Sequence, residues 1–171
     1  MTDAPGTSRI LTLVFTDLVG STALKTERGD HAIGELIARH RTHVRRLAAE
    51  GAGRIVSWAG DGCFLTFEAP SAAVLFALRL QQAHADEPDL PGVRTGLHLG
   101  EVSEQRGPDG DVEGLAVDLA ARISGLAGPA QVLMSASVAD SARPRLDHAT
   151  FARPIRWQTH GRYALKGFDE A

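Results

Sequence analysis

The chain has 171 residues, 43% of them hydrophobic, enough for one domain with a real core. A net charge of −3 and a pI of about 6.1 give no basic excess with which to hold nucleic acid. One cysteine, Cys63, excludes an internal disulfide, and no apolar run is long enough to span a membrane, so a cytoplasmic domain is expected.

Residues 1–8 are polar, lack an apolar signal core and read as a flexible leader. Ile10 to Phe15, ILTLVF, predicts a short strand buried on both faces. It ends at Asp17. Gly20 then permits a tight turn, and Ser21 or Thr22 can cap a helix. From Asp30 to Glu50 apolar residues recur at helical spacing, with Asp30 as the expected N-cap and Gly51 as the stop. Arg54–Trp58 and Cys63–Phe67 read as two strands of a hairpin with Asp61 at its tip. Pro70 to Ala85 is helical, and Val93–Val102 is a strand. Gly114–Leu126 is a second Ala- and Leu-rich helix. Gln131–Met134 is a strand, Ser135–Ala142 a short helix capped by Ser135, and Ile155–Leu165 holds one or two late strands. The order β-α-β-β-α-β predicts an α+β sandwich of ferredoxin-like topology with further C-terminal α/β elements.

Chemistry concentrates on two acids. Asp17 follows a buried strand, and Asp61 sits in a glycine-flanked turn. In a βαββ core the two can meet at one sheet edge. Paired carboxylates repel unless a cation lies between them, and hard oxygen ligands suit Mg²⁺ or Mn²⁺. Backbone N–H groups over Leu18, Val19, Gly20, Ser21 and Thr22, leading into a helix start, suit phosphate. Metal and triphosphate together point to phosphoryl transfer. Each acid alone has a simpler reading, as a helix cap or a turn residue, and their spacing does not decide between them.

The longer strings do. Phe15–Thr22 (FTDLVGST) and Ala59–Phe64 (AGDGCF) resemble the two metal motifs of class III nucleotidyl cyclases. Val93–Val102 resembles that family's central strand, Gly114–Arg122 its catalytic helix, and Leu165–Phe168 a late strand-end motif. Residues 9–171 are thereby identified as one catalytic domain. The resemblance implies an adenylate cyclase, in which the ribose 3′-hydroxyl of ATP attacks the α-phosphate and expels pyrophosphate. It implies two Mg²⁺ or Mn²⁺ ions held by Asp17, Asp61 and the Leu18 carbonyl, with Leu18–Thr22 on the phosphates. It implies a head-to-tail homodimer, with no nucleic acid and no membrane segment. Arg122 matches the transition-state arginine, a guanidinium for charge developing on the α-phosphoryl group. Lys166 matches a residue that contacts the outer phosphates.

Three positions bear on specificity and rate. Ser57 stands where adenylyl cyclases carry a base-reading lysine and guanylyl cyclases a glutamate. Asp111 aligns with the aspartate that accepts from the adenine amino group. Asp118 replaces an asparagine that orients ribose, a change worth about 10²-fold in rate if the contact is lost. Two alternatives follow: a cyclase for GTP or another nucleoside triphosphate, and a weakly active or inactive cyclase fold serving as a nucleotide-binding or dimerising module. Relatives run one strand beyond the position of Phe168, so ending at Ala171 is expected to leave a sheet edge unpaired.

The remaining residues of note lie elsewhere. His40 and His43 share a helix face and read as surface residues. Cys63 reads as a small core residue. Arg39, Arg41, Arg45 and Arg46 form a solvated or dimer-facing stripe, and Trp58 can fill the base pocket.

Overall fold

The computed structural model describes residues 6–105, 110–146 and 155–165. In chain order the elements are β1 (Thr7–Leu18), α1 (Ser21–Arg28), α2 (Asp30–Glu50), β2 (Arg54–Ala59), β3 (Gly62–Phe67), α3 (Pro70–Ala85), β4 (Val93–Glu104), β5 (Val112–Glu113), α4 (Leu115–Leu126), β6 (Val132–Met134) and α5 (Ala136–Leu146). The sheet runs β2-β3-β1-β4-β5, with β6 parallel to β4 at residues 95–97 of that strand. β1 lies in the middle, antiparallel to β3 on one side and to β4 on the other. The crossovers from β1 to β2 and from β3 to β4 therefore each skip one strand, which is the ferredoxin-like arrangement expected from the element order.

The apolar run in β1 follows from its place from Leu11 onward, while Ile10, expected to be buried, is exposed. Val14 packs with Val44, Phe67, Phe76, Leu80 and Val138 on the face covered by α2, α3 and α5. Leu11 and Leu13 pack with Phe64, Val102, Ala116 and Ala120 on the face covered by α4. A strand covered on both sides has no polar face to show. α4 comes unusually close at Gly96, where a Cβ would lie 2.2 Å from the backbone nitrogen of Ser124.

The structure differs from expectation at the ends of elements. β1 begins at Thr7, inside the stretch read as leader, because residues 7–18 pair along the whole of β4. Asp30 is the first helical residue rather than the cap. Gly29, at φ 83°, and Gly20, at φ 79°, occupy the N-cap positions of α2 and α1, and neither Ser21 nor Thr22 caps. Left-handed backbone at a helix entry takes glycine at little cost. Residues 155–165 form no strand: Ile155 and Trp157 pack on the core, while neighbouring residues stay exposed. Among the described residues, no helix is long and apolar enough to cross a membrane.

Candidate functional site

The strand ends bring the two acids together. β1 and β3 pair Thr16 with Cys63, so the next residues, Asp17 and Gly62, lie side by side. A Cβ on Gly62 would stand 3.5 Å from Asp17 Oδ1 and 3.2 Å from the Thr16 carbonyl oxygen. Glycine there lets the Asp61 turn sit against Asp17. Gly60, at φ +63°, makes the turn itself. On the other side, the Val19 N–H donates to the Gly92 carbonyl at 2.8 Å, pinning the loop after Asp17 to the approach to β4. The result is a cleft of about 320 Å³ lined by Asp17, Leu18, Val19, Gly20, Ser21, Thr22, Asp61 and Arg94.

The two carboxylates have different partners. Asp17 lies opposite Arg94 in the β1–β4 register, and the Arg94 Nε donates to its Oδ2 at 3.0 Å, with Nη2 donating to the same oxygen. Asp61 Oδ2 is buried and accepts no hydrogen bond. A desolvated carboxylate oxygen without a partner is costly unless a cation meets it. Among the described residues no group of three histidine, cysteine, aspartate or glutamate side chains could share an ion. A metal here would draw two carboxylates from the protein and its other oxygens from backbone, water or phosphate, a donor set that suits Mg²⁺ or Mn²⁺. The residues present fit such an ion.

Arg94 received no role from the sequence, although it lies inside the string compared with the central strand. The signal that finds it is strand register. Once β1 and β4 are paired antiparallel through Leu13 and His98, residue 94 must face residue 17.

A second, more apolar cleft of about 240 Å³ adjoins the first through Asp17 and Arg94. Its walls include Phe15 and Phe64, stacked with centroids 4.5 Å apart, and the α4 residues Ala121, Ser124 and Gly125.

The other expected site residues stand apart from the acidic cleft. Ser57 is exposed on β2, opposite Phe64 and just past a bulge. Asp111 is exposed before β5, its carbonyl accepting from the Gln105 N–H at 2.9 Å. Asp118 and Arg122 are exposed one turn apart on α4 and do not line the cleft. Lys166 lies outside the described residues.

Three readings from sequence are corrected, for His40, His43 and Trp58. His40 is wholly buried rather than on the surface, and its Nδ1 lies 3.0 Å from His84 Nε2. His43 Nε2 meets Glu87 Oε1 at 2.6 Å. The arginine stripe is solvated, as expected, with Arg45 and Arg46 exposed, and it also makes contacts within the chain. Arg39 pairs with Glu87 and Arg46 with Glu50, while Arg41 donates to the Gly60 carbonyl at 2.6 Å. Arg41 and Arg45 both lie over the Trp58 ring, at 4.9 and 5.3 Å. Trp58 therefore packs toward α2, and alternation along β2 turns it away from the face that Ser57 presents. Cys63 is buried as expected, and burial pushes its thiol up to about 12.

A sequence profile described as Adenylate and Guanylate cyclase catalytic domain matches residues 5–170. An adenylate cyclase of Streptomyces coelicolor is 32% identical over 132 residues, covering 77% of this chain and 34% of that protein. The chain spans about a third of the length of the curated relatives it matches. Among solved structures, the adenylyl cyclase CyaB from P. aeruginosa superposes with TM-score 0.77 at 22% identity, covering 96% of this chain and 91% of that one. An adenylate cyclase from Trypanosoma brucei, solved in its monomeric state, gives TM-score 0.80 at 24% identity, covering 94% and 84%.

Proposed function

The chain belongs to the adenylate and guanylate cyclase catalytic domain family, and on that premise we propose that it converts ATP to 3′,5′-cyclic AMP and pyrophosphate at a site completed by a second copy. One observation carries this reading. Asp17 and Asp61 converge on one cleft with a loop of backbone amides, while Asp118 and Arg122 stand exposed outside it. A head-to-tail dimer would bring one copy's α4 residues to the other copy's acids, giving two equivalent sites.

Two divalent cations, Mg²⁺ or Mn²⁺, bound by Asp17, Asp61 and the Leu18 carbonyl would acidify the ribose 3′-hydroxyl and neutralise the triphosphate. The amides of the Leu18–Thr22 loop that remain free at the start of α1 bind phosphate oxygens, the Val19 N–H being held by the Gly92 carbonyl. Arg94 holds Asp17 while the carboxylate has no cation, and its guanidinium then becomes free for phosphate. From the partner copy, Asp111 accepts from the adenine amino group with Ser57 nearby. Arg122 stabilises charge at the α-phosphoryl group, Asp118 faces the ribose, and Lys166 meets the outer phosphates.

A second reading is a cyclase for GTP or another nucleoside triphosphate. It rests on Ser57, an exposed hydroxyl that can donate or accept where a lysine or glutamate would commit to one base. Incubating the purified chain with each of four nucleoside triphosphates and Mn²⁺ or Mg²⁺, with products identified by mass spectrometry, separates the readings. Cyclic AMP alone supports the first and another cyclic nucleotide the second. Nucleotide binding without turnover would leave a binding or dimerising module.

A further inference from the structure

The Asp61 turn is held from behind by an arginine that the catalytic reading does not use. Gly60 bends the chain at φ +63°, and its carbonyl oxygen accepts from Arg41 Nη2 at 2.6 Å. Arg41 rises from the middle of α2, a helix fixed on the core by Val44, Leu47 and Ala48. Its guanidinium carbon Cζ lies over the Trp58 ring, 4.9 Å from the centroid. Trp58 ends the same stretch of β2 that leads into the turn. Arg45, one turn along α2, lies over the same ring at 5.3 Å.

One contact here fixes more than one atom. The Gly60 carbonyl and the Asp61 N–H belong to a single planar peptide unit. Holding that carbonyl toward α2 sets the plane from which the Asp61 side chain departs. A charged donor makes such a bond roughly twice as strong as a neutral one. The ring beneath the guanidinium attracts it and limits its swing.

Packing alone does not explain the arginine. Arg41 Nε is buried and has no hydrogen-bond partner. A leucine or methionine would avoid that cost. Two like charges one turn apart on α2 also repel. Both costs fall beside a turn whose carboxylate oxygen, Asp61 Oδ2, is itself buried without a partner. The two acids of the cleft are thus held in different ways. Arg94 grips the Asp17 carboxylate itself and competes with a cation. Arg41 grips the backbone behind Asp61 and leaves that carboxylate open.

We propose that Arg41, seated on Trp58, is a positioning residue that aims the Asp61 carboxylate at the metal. This rests on the reading of Asp61 as a metal ligand. Partners that orient a ligand without touching the ion typically contribute about 10- to 100-fold in metal affinity. Coulomb repulsion alone predicts the opposite sign, because removing a cation near a metal site favours the metal.

The test uses the full chain and the variants Arg41→Ala, Arg41→Lys, Arg45→Ala and Trp58→Leu. Mn²⁺ binding is followed by electron paramagnetic resonance with a non-hydrolysable ATP analogue, and amide hydrogen exchange is measured without metal. Arg41→Ala should bind Mn²⁺ about 10-fold more weakly and exchange faster at residues 59–62, with 17–22 unchanged. Arg41→Lys keeps a charged donor and should recover most of the affinity. Arg45→Ala removes the same charge from the same ring and leaves the Gly60 contact in place, so its affinity should match wild type. Unchanged or tighter Mn²⁺ binding by Arg41→Ala overturns the proposal, as does an equal loss in Arg45→Ala. If Arg41→Ala does not fold, Trp58→Leu decides. It frees the guanidinium to swing and should weaken Mn²⁺ binding several-fold, and unchanged affinity there overturns the proposal. A wild type that binds no Mn²⁺ would overturn the metal reading instead. Exchange then judges the hold on the turn by itself, and an unchanged rate at 59–62 in Arg41→Ala overturns it.

Discussion

Replacing Gly96 by alanine should separate α4 from the sheet, with a calculable effect. The added Cβ would lie 2.2 Å from Ser124 N and 2.4 Å from Ser124 Cα, both backbone atoms of α4 that cannot rotate away. Ordinary contact needs about 3.5 Å, so the helix must retreat by about 1 Å. Overpacking of this kind costs about 2 kcal/mol, which lowers the melting temperature of a chain this size by about 6 °C. Asp118 and Arg122 move with α4, and misplacing reacting groups by about 1 Å costs about 10²-fold in turnover. The Asp17–Asp61 cleft draws no residue from α4, so Mn²⁺ affinity should hold. Calorimetry, a cyclic-nucleotide assay and Mn²⁺ titration on the same preparation read all three. A Gly96→Ala chain that melts and turns over like wild type would refute the close contact. Lost metal binding would refute the division between cleft and helix.

Other outcomes follow from the same geometry. Asp61→Ala removes a buried carboxylate oxygen that has no partner, so the metal-free chain should gain about 1 kcal/mol while Mn²⁺ binding is lost; calorimetry and resonance titration would show it. Arg94→Gln removes a cation competing for Asp17. The ion pair is about one-third exposed, hence screened and worth about 1 kcal/mol, so Mn²⁺ alone should bind several-fold tighter and nucleotide more weakly. His40 governs an acid limb of stability. Its folded-state pKa lies at about 3, below its ordinary value of about 6.5, so the unfolded chain takes the proton first. That contribution is complete above pH 6.5 and is lost as pH falls toward 3, amounting to about 2 kcal/mol between pH 7 and pH 5. His84 is shifted the same way by burial. Denaturant titrations of metal-free protein should show the loss, and His40→Phe should flatten it.

The parts legible in the sequence were those written by local pattern. The helix from Asp30 to Glu50 was legible to within one residue, its cap falling on Gly29 rather than Asp30, because its apolar stripe and the glycine after it both act within a few residues. The meeting of Asp17 and Asp61 was legible because the element order allows few sheets, and in this one the acids end neighbouring strands. Arg94 was missed because ion pairing across strands depends on register, which hydropathy does not encode. His40 was misread as a surface residue because a polar residue on a helix suggests water. Its buried partner, His84, lies 44 positions away. The late strands failed because Ile155 and Trp157 alternate like a strand, yet no neighbouring edge pairs with them among the described residues.

The central claim is that one copy's acids and another copy's α4 make one site. It is tested most directly by mixing two inactive chains, Asp17→Ala and Arg122→Ala, each shown to fold and to dimerise. In a random mixture half the dimers are mixed, and each mixed dimer holds one intact site of two. Cyclic AMP synthesis should therefore return to about a quarter of wild type. A mixture as inactive as its parts, with mixed dimers demonstrably present, would contradict the claim.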